Sequence, residues 1–367
     1  MEVSPRQLPL PMSECRTCLV LSMRHMGDAV ILSGLVNALG TCHPEMSVDV
    51  LGRPELAEVS RSFSVFRDYI GINLPFFRHH RRDGAALKSA VRTMQQVRRR
   101  KYDYCVNTIG DVRENLISRL TGAKISIAPV WEPGHLFKRK MTDKGAALLA
   151  GYGVRIPSSL TSYYDSLEYF SQQLGIPRLL WKRKRSTGWN PARLKVALHP
   201  GASHPSRYWP YGKWRELMRD LWKRGCDLTL LGSVAERERL LDAFGEEVSS
   251  GNLRLITDEI PQFMASLTSS DVLIGMDSFS VHAAYALGIP AIVLNGSADM
   301  RILTPPGDPA VSAGHLCPHY PCYYAYSCRG GTAEYVCVRG IEATTIMEAL
   351  DEVIKRMNAP KKEAGPV

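Results

Sequence analysis

The stretch that most constrains the fold runs from Asp271 to Gly296. Residues 272–274 are apolar with no polar alternation, the pattern of a strand buried on both faces in a parallel sheet. Gly275 ends the run. Asp277, Ser278 and Ser280 are helix-capping residue types, and Val281, Ala284, Tyr285 and Leu287 follow at near-helical spacing. Gly288 and Pro290 stop that helix, and a second buried strand begins at Ala291. A helix N-terminus at the carboxyl end of a parallel strand offers unpaired N–H groups and the positive end of a helix dipole, a ready anion site. An ordinary capped helix of an α/β fold satisfies the same pattern.

The alternation extends through the chain. In the first half, strands are expected at 18–23, 48–51, 69–72, 104–107 and 124–128, with helices at 29–39, 53–59, 84–100 and 114–120. Residues 129–190 read as less regular, with prolines and a Tyr/Ser run near 162–170. The second half places strands at 195–199, 227–231, near 253, at 272–274 and from 291. Its helices fall at 211–223, 234–244, 260–267 and 341–357. Strand and helix in turn argue for parallel, doubly wound sheets. The expected class is α/β: two Rossmann-like domains with a ligand cleft between them. The domains are expected at 1–185 and 186–345, followed by a C-terminal helix and frayed tail over 346–367.

A chain of 367 residues suffices for two such domains. No apolar run is long enough to span a bilayer. Residues 1–14 lack the apolar core of a secretory signal, so a cytoplasmic location is the expectation. The formal charge of +10 favours an anionic partner: nucleotide, phosphorylated glycan, nucleic acid or acidic membrane surface. No basic sheet motif with interleaved aromatics is present, and no nucleic-acid partner is expected. Neither G-x-G-x-x-G nor G-x-x-x-x-G-K-[ST] occurs, which argues against a dinucleotide oxidoreductase or a P-loop NTPase.

Of the nine cysteines, Cys42, Cys105 and Cys226 lie in or beside apolar segments and are expected as small core residues. Cys15 and Cys18 form C-x2-C without a second pair nearby. Cys317, Cys322, Cys328 and Cys337, with His315 and His319, lie in a Pro/Tyr/Gly-rich loop. Their spacing is looser than that of zinc fingers. It leaves open a structural zinc or iron, free thiols, or a labile disulfide.

Candidate site residues gather where strands end. After the first strand, Gly27 permits close backbone approach, and Asp28 is either a helix N-cap or a carboxylate aimed into the cleft. His199-Pro-Gly-Ala-Ser203 forms a turn after the strand at 195–199. Arg207-Tyr-Trp-Pro210 opens a helix and leaves Arg207 placed to meet an anion or to remain a surface cation. His282 lies one turn into the helix of the opening stretch, as a structural hydrogen-bonding group or a base.

Together these residues resemble glycosyltransferase family 9, the ADP-heptose:lipopolysaccharide heptosyltransferases. The resemblance rests on Arg24-His-Met-Gly-Asp28, Tyr102-Asp103 with Gly110-Asp-Val-Arg113, His199-Pro-Gly-Ala-Ser with Arg207-Tyr-Trp-Pro210, Leu231-Gly-Ser-Val-Ala-Glu236, and Gly275-Met-Asp-Ser-Phe-Ser-Val-His282. It implies the GT-B fold, with the acceptor on the N-terminal domain and the sugar nucleotide on the C-terminal one. It also implies an inverting transfer that needs no metal or other cofactor for catalysis.

Asp28 matches the family's general base. Ser278, Phe279, Ser280 and His282 match the stretch that cradles the diphosphate, with Asp277 beside it. Glu236 matches the carboxylate that contacts the ribose, and Gly27 and Ser203 join the donor set. Arg207 stands where the family usually has a lysine, and Phe279 where a glycine is common. Ser33-Gly34 replaces the usual proline region. Arg24, Arg81, Arg82 and Arg113 are expected to meet the acceptor. The basic segment 78–101 suits an anionic glycolipid and peripheral contact with the cytoplasmic face of the inner membrane. The expected function is transfer of a heptose or related sugar from a nucleotide sugar, ADP-heptose first, to a lipopolysaccharide core or other surface glycan. The alternatives are a protein O-heptosyltransferase that modifies an adhesin, toward which a cysteine-bound metal would tilt, and a non-catalytic nucleotide-sugar-binding module.

Overall fold

In this computed structural model the described residues are 11–74, 84–136, 149–182, 190, 193–204, 207–322, 328 and 334–358. The chain divides into two compact units, Met1–Lys182 with Arg301–Leu303, and Arg183–Met300 with Thr304–Val367. Each carries one six-stranded, all-parallel sheet with helices, the α/β class that the alternation predicts.

In the first unit β1 (Thr17–Ser22), β2 (Ser47–Gly52), β3 (Asp68–Gly71), β4 (Tyr104–Val106), β5 (Ile125–Trp131) and β6 (Tyr152–Ile156) lie in the order β3-β2-β1-β4-β5-β6. β1 is apolar on both faces because it is central. Cys18 pairs with Val48 on one side and Tyr104 on the other, and Cys18, Leu19, Val20 and Leu21 are all buried. The helices are α1 (Met26–Cys42), α2 (Ala57–Phe63), α3 (Gly84–Arg99), α4 (Val112–Leu120) and α5 (Tyr163–Gln173). Val97 of α3 and Ile117 of α4 pack into one core with Leu21, Met23 and Tyr102. The strand order reverses between β1 and β4, so the turns leaving their carboxyl ends are neighbours.

Several boundaries differ from expectation for identifiable reasons. α1 begins at Met26, with His25 as its N-cap, so Asp28 is not the cap but the third helical residue. Residues 129–190 hold the end of β5, all of β6 and α5. β6 was hidden because it is an edge strand with Gly153 and Arg155 exposed. β5 continues through Pro129, whose missing N–H falls past the end of the β4 ladder, which closes at Val106 opposite Ile127. α5 hides in the Tyr/Ser run, and its cap is Ser162, whose hydroxyl accepts from Tyr164 N–H at 3.1 Å. Cys105 and Cys226 are buried as expected, whereas Cys42, the last residue of α1, is exposed.

In the second unit β7 (Lys195–His199), β8 (Asp227–Gly232), β9 (Leu253–Thr257), β10 (Val272–Met276), β11 (Ala291–Leu294) and β12 (Ala310–Val311) lie in the order β12-β11-β10-β7-β8-β9. The longer helices are α6 (Tyr211–Lys223), α7 (Arg237–Ser249), α8 (Ile260–Thr268), α9 (Phe279–Leu287) and α10 (Ala343–Asn358). β10 is fully buried, as its apolar run requires. Gly288 closes α9 at φ +75°, a left-handed backbone that a glycine adopts without strain. α10 belongs to this unit: Ile346, Leu350 and Val353 share a core with Trp214, Leu217 and Leu221. Trp209 Nε1 and Lys213 Nζ both donate to the Ile341 carbonyl, at 3.0 and 2.9 Å. Among the described residues no helix is long and apolar enough to cross a membrane.

Candidate functional site

Two clusters occupy the carboxyl ends of the two sheets, and each is built within its own unit. In the first, the turn after β1 is held from both sides. The Arg24 carbonyl accepts from Arg53 Nη1 at 2.7 Å. Its guanidinium donates from Nε to Glu114 Oε1 at 2.7 Å and from Nη2 to Asp111 Oδ2 at 2.5 Å. The next residues form a reciprocal cap: Asp28 Oδ2 accepts from His25 N–H at 3.1 Å, while the His25 side chain accepts from Asp28 N–H. Asp28 is half-buried in the first turn of α1, where the helix dipole favours a carboxylate.

Asp111 caps α4, accepting from Glu114 N–H at 2.8 Å, and Arg113 Nη2 adds a bond to Asp111 Oδ2 at 3.0 Å. Burial pushes the Glu114 carboxyl up to about 7, Arg24 pulling against it and Asp111 and Asp28 adding to it. Burial works against the Arg24 cation, but Glu114 and Asp111 more than offset it and leave its pKa above the ordinary arginine value. Tyr163, buried at the start of α5, sets its hydroxyl 3.3 Å from Thr108 Oγ1 and lies within the field of Asp28. Arg24 and Arg113, expected at the acceptor, thus both bond to Asp111. Gly27 lies beside Asp28 in this first unit. Arg81 and Arg82 lie outside the described residues.

The second cluster surrounds the start of α9. Ser278 is its N-cap by position, with extended backbone at φ −157°, but its side chain caps nothing. Ser278 Oγ instead lies 3.3 Å from His199 Nδ1 and 3.2 Å from Ser280 Oγ, which is itself 3.0 Å from His199 Nδ1. Burial lowers the His199 ring to about 4, the Glu236 charge opposing, so the imidazole is neutral near pH 7. Phe263 stands edge-on to that ring at 5.6 Å, and Phe279 lies 5.6 Å from Phe263 in turn. Arg207 donates from Nη1 to the Asp277 carbonyl at 2.7 Å and pairs with its carboxylate at 3.7 Å. His282 is buried inside α9.

Glu236 is fixed by a capping box: Oε2 accepts from Ser233 N–H at 3.0 Å and from its hydroxyl at 2.8 Å, and Oε1 accepts from Arg239 Nη2 at 2.7 Å. Burial raises its pKa, but these bonds and the neighbouring His199 and Arg239 bring it below the usual value. Gly201 passes so close that a Cβ there would stand 2.5 Å from Glu236 Oε1. Arg207, Glu236, Asp277, Ser278, Phe279, Ser280 and His282 therefore share one unit and one sheet end, with Ser203 exposed on the turn after β7. His199 and Asp111 stood in the motifs quoted above without a role of their own, whereas Phe263, Glu114 and Tyr163 were not foreseen as site members. Of these three, Glu114 had a signal in the sequence, Asp-x-x-Glu at capping spacing.

Cys337 is buried, and its thiol is pushed up to about 11 by burial and then by Cys317, Cys322 and Cys328. All nine cysteines are free thiols. Among the described residues no group of three or more His, Cys, Asp or Glu side chains is disposed to hold a metal ion.

The fold is shared with solved sugar-transferring enzymes. The Escherichia coli heptosyltransferase WaaC with ADP-2-deoxy-2-fluoro heptose superposes with a TM-score of 0.66 at 15% identity, over 92% of this chain and 99% of that one. The E. coli ADP-heptose lps heptosyltransferase II gives 0.61 at 15% identity, over 94% and 100%. The iron-containing dodecameric glycosyltransferase TibC from enterotoxigenic E. coli H10407 gives 0.52 at 12% identity, over 95% and 78%. At such identities the likeness is one of fold. Among curated proteins none matches the sequence significantly.

Two parallel Rossmann-like units of this kind define the GT-B class of glycosyltransferase. The family model described as glycosyltransferase family 9 (heptosyltransferase) matches residues 90–328, and the chain belongs to that family.

Proposed function

We propose that this glycosyltransferase moves a heptose, or a related sugar, from ADP-heptose to a lipopolysaccharide core or similar bacterial surface glycan, with inversion and without a metal ion. The first unit takes the acceptor and the second the nucleotide sugar. The observation that carries the reading is the start of α9, where the first turn of a helix, two serine hydroxyls and Arg207, which donates to the Asp277 carbonyl, meet at one strand end. An acceptor hydroxyl attacks the anomeric carbon from the face opposite the diphosphate, and Asp28 takes its proton. Negative charge grows on the departing ADP, and Arg207, the serine hydroxyls and the α9 N-terminus stabilise it. Glu236, held by its capping box, meets the ribose. ADP release that requires both ADP-heptose and a truncated core acceptor tests the reading. No ADP release with either a core acceptor or a protein substrate would leave only the non-catalytic binding module.

A second reading within the fold is transfer to a protein such as an adhesin, toward which a metal held by the C-terminal cysteines would tilt. Cys317, Cys322 and Cys328 act electrostatically on the buried Cys337 thiol, and thiolates are ligands for a structural zinc or iron. Metal analysis of the purified protein and of Cys322→Ser decides whether one is held. We also place the protein at the cytoplasmic face of the inner membrane, in peripheral contact through the basic α3.

A further inference from the structure

The hydroxyls at the start of α9 are tied to a buried ring. His199 ends β7 in register with Gly275 of β10. A Cβ on Gly275 would stand 3.2 Å from Ser280 Oγ and 3.5 Å from His199 Cβ, so that glycine lets ring and hydroxyls meet. His199 is 8% exposed, Ser280 is fully buried and Ser278 only partly so. Ser280 is thus the deepest of the three, and Ser278 is the one that reaches the surface.

A neutral imidazole carries one N–H. With the proton on Nε2, Nδ1 would accept a serine proton and turn the hydroxyls inward. With the proton on Nδ1, every donor points outward. We propose that His199 is a positioning residue: its Nδ1–H donates to Ser280 Oγ, the Ser280 hydroxyl donates to Ser278 Oγ, and the Ser278 hydroxyl donates to the diphosphate. This rests on the donor-site reading above. Three observations support the direction. The Nδ1 contact to Ser280 is the shorter of the two, 3.0 against 3.3 Å. Ser278 does not use its hydroxyl to cap α9. Phe263 packs edge-on against the ring and fixes its plane. Donors in series polarise one another, and an ionised acceptor gains most from the last.

The test uses the full chain and ADP as probe. Nitrogen-15 spectra of the His199 ring should show a protonated Nδ1 and a bare Nε2; the opposite tautomer overturns the inference. His199→Asn keeps an N–H donor near the Nδ1 position, whereas His199→Gln moves it toward Nε2. ADP binding should weaken about tenfold or more in His199→Ala and His199→Gln, and stay within about threefold in His199→Asn. Equal effects in all three overturn it. The Ser278→Ala/His199→Ala double variant should bind ADP no more weakly than Ser278→Ala alone, and additive losses overturn it. Should His199→Ala fail to fold, the wild-type ring spectrum decides. Wild-type protein that binds no ADP would instead remove the donor-site reading, so the two failures are distinct.

Discussion

Arg24 Nε donates to Glu114 Oε1 over 2.7 Å, and that carboxylate is 1% exposed. The pair ties the turn before α1 to the first turn of α4, and the guanidinium reaches Asp111 as well. Arg24 thus sets the position of the turn that carries Asp28. An arginine flanking a carboxylate in the sequence suggests ligand binding. Burial shows the opposite partner, an internal one.

Glu114 carries a pH signature. Its folded pKa, about 7, stands above the ordinary glutamate value of 4.5, so folding favours the protonated form. Its contribution to stability is present below about pH 4.5 and is lost as pH rises through about 7. The gap corresponds to roughly 3 kcal/mol. Glu114→Gln keeps an acceptor for Arg24 but does not ionise. Urea unfolding of both proteins at about pH 4.5 and about pH 8 should show the wild type losing that increment relative to the variant. Parallel pH curves would contradict the assignment.

Asp28→Asn should preserve the fold, because the amide oxygen still accepts from His25 N–H and the cap survives. ADP affinity should be unchanged, since ADP is assigned to the second unit. Turnover on a defined acceptor should fall roughly 10²–10⁴-fold, the usual contribution of a general base. Full turnover in the variant would remove Asp28 from that role.

Gly201→Ala should act through Glu236. The new methyl would meet Oε1 at 2.5 Å, and the carboxylate is anchored by Ser233 and Arg239. Either the turn or the carboxylate must move. The expected cost is about 1–3 kcal/mol of stability. ADP binding should weaken with it, because the ribose contact is assigned to that carboxylate. Calorimetric unfolding and ADP titration read both effects, and a variant identical to wild type in each would show that the turn relaxes freely.

How much was legible follows from what burial does to a sequence. β1, β7 and β10 are central in their sheets, so both faces are apolar and the run is unmistakable. β6 is an edge strand with Gly153 exposed, and nothing in its composition marks it. The helix start at Ser278–Ser280 was legible because capping residues at a strand end have a local signal. The partners of His199 and Glu114 were not, since they lie 79 to 90 residues away in sequence. Asp28 was read as a possible cap because aspartate favours that position. The cap is one turn earlier, at His25, and the carboxylate serves it from the third residue.

The outer face of α3 yields the last prediction. Leu87 and Val91, one turn apart, are 52% and 49% exposed. Lys88, Arg92, Arg98 and Arg99 are exposed on the same helix, which carries no acidic residue, while Ala90 and Val97 turn to the core. Arg100, just beyond, is structural: it bonds to Asp49 at 2.9 Å and Asp68 at 2.7 Å. Apolar side chains among cations suit the interface of an anionic bilayer, where each cation contributes on the order of 1 kcal/mol. Arg92→Gln/Arg98→Gln/Arg99→Gln should weaken binding to phosphatidylglycerol vesicles by about a hundredfold, while Arg100→Gln should lower stability instead. Leu87→Gln/Val91→Gln should weaken the same binding without changing its salt dependence, because the apolar contribution is not screened. Vesicle sedimentation at low and high salt separates the two effects, and binding unaffected by either set of changes would move the membrane contact elsewhere.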